Sequence, residues 1–434
     1  MIYFIMLYYK PSNEKSVVMN TNAFENYESN VRSYCRSFPT VFTKAKGSIM
    51  TDEDGKDYID FFAGAGALNY GHNPDSMVDK MVEYLKNDGI VHSMDMFTAP
   101  KREFIEYFQE NILKARGFDY KIQFAGPTGT NAVEAALKLA RKNKKRENIF
   151  AFMGAFHGMT LGALSLTTDS SSREGAGQCL SNVTHIPAPY MFGGFDSIKY
   201  METILTDDHS GIAKPAAIIL ECVQADGGIY TFDVEFLKAL RELCTKHDIL
   251  LIADEIQVGN ARTGTFFSFE KAGIVPDIIT LSKSIGGCGM PLALVLFKRE
   301  LDIWTPGEHT GTFRGNQLSL IAGKEGLRKV AEENIEGEVQ RKGQLVADFL
   351  TKEILPLDEK ISFRGVGLIW GVDFSQFSED MTKPLIAECF KRGLIEARVG
   401  RDNKVLKLMP PLVIEDENLI KGLEILKESI KAIL

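Results

Sequence analysis

Short, continuous apolar runs alternate along the chain with longer stretches whose apolar residues recur every three or four positions. That alternation predicts a doubly wound α/β domain. Residues 216–220 (Ala-Ala-Ile-Ile-Leu) and 249–253 (Ile-Leu-Leu-Ile-Ala) carry no polar residue, as strands buried on both faces require. Between them Phe236, Leu237, Leu240 and Leu243 follow helical spacing. Residues 149–153, 278–281 and 292–297 predict further strands. After about residue 325 the pattern changes to long charged helices and a mixed region around 365–374. A final amphipathic helix runs through Leu419, Leu423, Leu426 and Ile430, so the C-terminal part predicts a smaller α+β domain. Residues 58–62, after the Asp54-Gly55 turn, predict a hairpin strand that belongs with it. The resulting division is a disordered leader over 1–23, an N-terminal segment over 24–74 packing with the small domain, a large cofactor domain over 75–325, and the small domain over 326–434.

A length of 434 residues suits such a two-part architecture. The formal net charge of −8 argues against a nucleic-acid partner, because neutralising phosphates needs a basic face. The basic run Arg141-Lys142-Asn143-Lys144-Lys145-Arg146 is read as the solvated end of a helix. Six cysteines (Cys35, Cys179, Cys222, Cys244, Cys288 and Cys389) show neither a CxxC pair nor metal-ligand spacing. They predict reduced thiols, no bound metal and a cytoplasmic location. The apolar start, Met1 to Tyr9, ends at Lys10-Pro11; it is too short to span a bilayer and lacks the flanks of a signal peptide. Residues 1–18 are therefore taken as a leader without function, and no membrane association is expected.

Four elements suggest chemistry. Lys283 follows a predicted strand within Ser282-Lys283-Ser284-Ile285-Gly286-Gly287, where an ammonium has no packing role and is costly to bury. Lysine also forms Schiff bases with carbonyl cofactors. Asp254 ends the strand at 249–253 and so projects at the carboxyl edge of the sheet, where α/β proteins bind ligands; alone it could equally be a helix cap. Gly126-Pro127-Thr128-Gly129-Thr130-Asn131 opens a helical pattern and could present N–H groups to a monophosphate, or could simply be a capped loop. It has no Walker lysine, which disfavours a nucleoside triphosphate. Phe156, in Phe156-His157-Gly158, could stack on a flat heteroaromatic ring.

Taken in order, Ala253-Asp254-Glu255-Ile256-Gln257-Val258-Gly259, Arg262-Thr263-Gly264 and Ser282-Lys283 resemble the class III aminotransferases of fold type I, and the resemblance runs from about residue 28 to the C-terminus. It implies a large doubly wound domain with a mixed, mostly parallel sheet, a smaller α+β domain, and pyridoxal 5'-phosphate as cofactor. It implies roles as well. Lys283 is the Schiff-base lysine and proton shuttle, Asp254 the partner of the pyridine nitrogen, Gln257 a donor to the ring 3-oxygen and Phe156 the stacking ring. Gly129 and Thr130 bind phosphate, and Thr312 reaches the phosphate of a neighbouring subunit. A homodimer with shared active sites follows, with a tetramer left open. Within the family, residues 28–39, 60–72 and 126–136 resemble the branch that moves the amino group of L-glutamate to L-aspartate 4-semialdehyde. The products there are L-2,4-diaminobutyrate and 2-oxoglutarate, the first step of ectoine synthesis.

Departures from the general family pattern bear on the substrate. Met159 follows His157-Gly158 where many relatives carry an arginine for a carboxylate. Lys407 precedes Pro410-Pro411-Leu412 where a second arginine is common, and Asp226 stands where a glutamate often gates it. A lysine lacks the bidentate fork that reads a carboxylate, so the ornithine and 4-aminobutyrate pattern does not transfer directly. Arg32, Arg36 and Lys407 become the candidates for substrate carboxylates. Ala261, where a second glycine is usual, predicts only a local loop effect. The competing readings are a 4-aminobutyrate or ornithine type of ω-aminotransferase, an aminomutase or racemase on the same scaffold, and a non-catalytic dimer that would not need Lys283 and Asp254.

Overall fold

The computed structural model describes residues 21–177 and 180–434. The leader expected over 1–18 lies outside the described residues, as does Cys179; a helix, Asn22–Tyr27, already begins inside the boundary set at residue 23.

Seven strands form the central sheet, in the spatial order Tyr120–Phe124, Leu294–Lys298, Ile278–Leu281, Leu250–Asp254, Ala217–Leu220, Ile149–Phe152, Val183–Ile186. All neighbours are parallel except around Leu294–Lys298, which runs antiparallel to both strands beside it. The sheet is thus mixed and mostly parallel, and the three central strands are buried along their whole length. Both strands that the apolar pattern misses are edges. In Tyr120–Phe124 the exposed Lys121 interrupts the apolar residues, and Val183–Ile186 has a single fully buried residue. The helix Gly129–Lys144 lies on the sheet with Ala132, Val133, Ala136, Leu137 and Ala140 inward. It ends at the expected basic run, where Lys144 and Arg146 both reach Asp248.

A second group of strands belongs with the C-terminal part. Strand Asp57–Asp60 pairs in parallel with Leu394–Ile395 and antiparallel with Ile49–Asp52, while Ser362–Val366, Ile369–Asp373, Val405–Leu408 and Ala397–Val399 make a separate antiparallel sheet. The helix Asp416–Ile433 turns Leu419, Leu423, Leu426 and Ile430 inward. Two features lock this part to the central sheet. Val223, Ala225, Ile229 and Val258 share one apolar cluster with Ile369, Val399, Val405 and Met409. Arg262 is fully buried and donates through Nη1 to the carbonyls of Leu368 (2.8 Å) and Pro410 (2.5 Å), and through Nη2 to Asn69 Oδ1 (2.5 Å). Among the described residues no helix is long and apolar enough to cross a membrane.

Candidate active site

Adjacent parallel strands determine where the chemistry gathers. Asp254 closes Leu250–Asp254 and sits in register with Thr280, so Lys283, three residues further on, emerges beside it. Glu221 follows Ala217–Leu220, the strand on the other side of Asp254, and Phe156 follows Ile149–Phe152 one strand beyond. The carboxyl ends of four parallel strands in one sheet therefore face a single crevice, the place where such strands bind ligands. The cavity there holds about 260 Å³ and is lined by Lys283, Asp254, Gln257, Phe156, Gly129 and Thr130, six of the expected cofactor residues, together with Glu221, Asp226 and Met159.

Asp254 is 4% exposed and held on both oxygens: Oδ2 meets His157 Nδ1 at 2.7 Å, while Oδ1 accepts from Thr280 Oγ1 at 3.0 Å and from the Ile256 N–H at 3.1 Å. Burial works against a charged ring at His157, but the hydrogen bond and charge of Asp254 outweigh it and raise the imidazole above its ordinary value. Lys283 is the reverse case. Burial pushes its ammonium down to about 8, against the partial opposition of the Asp226 charge. Its backbone has φ +54°, a left-handed conformation that non-glycine residues rarely adopt and that clusters at functional sites. Glu221 accepts from the Phe156 and Ala225 N–H groups, and burial pushes its carboxyl up to about 7.

Behind the cavity lining, Lys407 is 2% exposed and donates to Asp226 Oδ1 (2.8 Å) and Gln257 Oε1 (3.1 Å), two residues that do line it. Burial alone would raise Asp226, but the neighbouring Lys407 and Lys283 charges hold its carboxyl below the usual range. Tyr34 packs on Phe62, with ring centroids 4.8 Å apart, and its hydroxyl is raised by burial and by the Asp226 charge.

These residues fit the cofactor that the resemblance implies. Thr128 starts the helix Gly129–Lys144 without capping it by its side chain, which leaves the first N–H groups free for an anion. Beside it, Gly158 has φ +129°, and a Cβ there would stand 2.5 Å from Thr130 Oγ1, so only glycine leaves the cradle open. A buried carboxylate, an aromatic face and a lysine amine complete the donor set for a ring nitrogen, a flat ring and an aldehyde.

Four expected residues do not line this cavity: Lys407, which stands behind Asp226 and Gln257, and Arg32, Arg36 and Thr312. Arg32 is paired with Glu25 at 2.7 Å, and Arg36 donates to the carbonyls of Arg32 (3.1 Å) and Asn30 (3.3 Å). Thr312 lies on an exposed loop beside Phe313, and its carbonyl meets His92 Nε2 at 2.9 Å. Conversely, Glu221, His157 and Thr280 were not foreseen in these roles. Glu221 carries the same signal as Asp254, a carboxylate one residue past a buried strand, and could have been found by it.

A family model described as aminotransferase class-III matches residues 31–430. The chain is 52% identical over 417 residues, 95% of this chain and 97% of the other, to a diaminobutyrate–2-oxoglutarate transaminase of Halalkalibacterium halodurans. It is 50% identical over 419 residues to one of Nocardia farcinica, covering 96% and 95% of the two chains. Among solved structures, it resembles an aminotransferase from Bacillus anthracis with a TM-score of 0.85 at 25% identity, over 95% of this chain and 97% of that one. The ornithine aminotransferase of Toxoplasma gondii ME49 gives 0.83 at 25% identity, over 95% and 94%.

Proposed function

Because the chain belongs to the class-III aminotransferase family, we propose that it moves the amino group of L-glutamate to L-aspartate 4-semialdehyde, giving L-2,4-diaminobutyrate and 2-oxoglutarate. The observation that carries the chemistry is Lys283. Its amine opens into a cavity beside Asp254 and is depressed to about 8, so a reactive fraction is unprotonated near neutral pH. Relatives about half identical over nearly the full length bear the diaminobutyrate name, whereas the ornithine enzyme shares only a quarter of its residues, and this supports the choice of substrate.

Bound pyridoxal phosphate supplies an aldehyde to take up the amino group and a ring to receive the electrons of the departing Cα proton. Lys283 holds the cofactor between turnovers and, once displaced by substrate, carries that proton on Nζ. Asp254, oriented by His157 and Thr280, would pair with the ring nitrogen and favour its protonated form. Phe156 would pack on the ring, Gln257 would serve its 3-oxygen, and Gly129 and Thr130 would hold the phosphate. Lys407 is the candidate cation for a substrate carboxylate. Arg32 and Arg36, which are turned to their own segment here, could take that role only by leaving Glu25 and the local carbonyls. Nothing in this scheme requires a metal, and the working location is the cytoplasm.

The working form is a homodimer. Met94, Met96, Phe97 and Phe313 are 49%, 62%, 102% and 66% exposed, and exposed large apolar side chains grouped in this way support a protein partner there. Thr312 on the same surface would then serve the neighbouring subunit's phosphate.

The test is the absorption of the purified holoenzyme. Its band from lysine-bound cofactor should bleach on adding L-2,4-diaminobutyrate or L-glutamate and return with L-aspartate 4-semialdehyde or 2-oxoglutarate. A chain that takes up the cofactor but ignores both donors would refute the substrate assignment; an aminomutase or racemase would release no 2-oxoglutarate.

A further inference from the structure

Asp226 opens a turn whose backbone is strained. Ile229 has φ +60°, although a β-branched side chain is badly placed there, and it is fully buried. A residue holds such a conformation only where its surroundings impose it. The surroundings here belong to the small domain. The Gly400 N–H donates to the Asp226 carbonyl at 2.9 Å, and Arg364 Nε donates to the Gly228 carbonyl at 2.7 Å. Gly228 has φ +119°, and a Cβ on it would lie 3.1 Å from Arg364 Nη2, so the close approach of the guanidinium depends on glycine.

The same guanidinium sits over the Tyr230 ring, its Cζ 3.9 Å from the ring centroid, and is anchored by Asp373 at 2.6 Å. Tyr230 in turn stacks on Tyr190, with centroids 3.6 Å apart and planes 5° from parallel. The hydroxyl of Tyr190 donates to Gln224 Oε1 at 2.6 Å, two residues before Asp226. A cation–aromatic–aromatic stack therefore bridges the two domains beside the one turn that presents Asp226 to Lys407. A guanidinium is attracted to the face of a tyrosine ring, and the contact is directional, which suits it to fixing a position.

We propose that Arg364 and Tyr230 are positioning residues that hold the 226–230 turn so that the Asp226 carboxylate stays on Lys407, and that they thereby set how readily Lys407 meets a substrate carboxylate. The reasoning is one of competition. Lys407 has one buried ammonium, and Asp226 is its carboxylate partner at 2.8 Å, beside the neutral Gln257 Oε1 at 3.1 Å. An incoming carboxylate must displace or share that partner, so the firmness with which the turn is held decides the affinity for anions. The inference rests on Lys407 serving as the carboxylate cation of the proposed reaction.

Glutarate tests it, since a dicarboxylate without an amino group binds without reacting. Its dissociation constant for the holoenzyme is measured by calorimetry. Asp226→Asn should tighten it about tenfold, and Arg364→Met and Tyr230→Leu should each tighten it by several-fold. Tyr230→Phe, which keeps the stacked ring, should leave it unchanged. Combined with Asp226→Asn, Arg364→Met should add nothing, because both act through the same carboxylate. Unchanged glutarate binding in both Arg364→Met and Tyr230→Leu, or a shift that adds in full to that of Asp226→Asn, would overturn the proposal. So would the absence of binding in Asp226→Asn. If Arg364→Met fails to fold, the contrast between Leu and Phe at Tyr230 gives the same answer. Calorimetry needs no turnover, so a holoenzyme that binds glutarate as expected yet ignores both amino donors would sink the substrate reading and not this one.

Discussion

In the cavity wall Asp254, Glu221 and Lys283 leave neighbouring parallel strands of a single sheet; Asp226, with Lys407 behind it, comes instead from a strained turn, and the pair joins two different domains. The first arrangement is rigid, because strand register fixes the spacing and each oxygen of Asp254 already has its partners. The second depends on how the domains meet. Groups whose spacing is set by strand register sit on the sheet, and a charge pair whose spacing depends on how two domains meet sits across their boundary.

Removing the fixed end should have the largest effect. Lys283→Ala is expected to lower transamination on the order of a thousandfold or more, the scale of a lost proton-transfer group, while cofactor still binds noncovalently. Single-turnover absorbance with L-glutamate measures it, and turnover near the wild-type rate would remove Lys283 from its role. At the adjustable end the loss should be smaller and differently distributed. Lys407→Met is expected to raise KM for L-glutamate about tenfold, the scale of one lost charge-assisted hydrogen bond, with cofactor affinity unchanged. A fall in kcat with KM intact would mean that Lys407 acts on the chemical step and that the two ends are not separable.

The apolar pattern makes the fixed end legible. Continuous runs announce strands buried on both faces, so a carboxylate or lysine directly after one is conspicuous, and Asp254 and Lys283 are found this way. The edge strands escape because Lys121 and His185 interrupt their apolar residues. At the adjustable end, Asp226 and Lys407 each stand out as departures from the family pattern, but 181 positions separate them and no periodicity couples them. Arg32 and Arg36 show what residue type alone leaves out: their guanidinium groups suit a carboxylate, yet here they are engaged by Glu25 and by carbonyls of their own segment.

The smallest predicted effect lies in the small domain. Glu396 is 1% exposed, neither of its oxygens has a hydrogen-bond partner among the described residues, and burial pushes its carboxyl up to about 8 from an ordinary 4.5. The folded chain therefore keeps a proton that the unfolded chain releases. The resulting stability is fully present below about pH 4.5 and is lost as the pH rises through about 8. Glu396→Gln should flatten that decline, so urea midpoints measured at acid and alkaline pH should lie closer together than in the parent. An unchanged gap would assign the dependence to Glu221 and Glu255, the other buried carboxyls raised by burial.

Arg262 has a consequence for how the molecule opens. One guanidinium, without solvent contact, binds three carbonyl oxygens that belong to the N-terminal segment, the small domain and the segment after Val405–Leu408. Peeling the small domain from the sheet would strand a cation and three acceptors at once, so partial detachment has no inexpensive intermediate. Amide hydrogens of Ile369–Asp373 and of Leu250–Asp254 should then exchange with solvent through the same global event, as members of one cooperative unit, although in space they sit in separate domains.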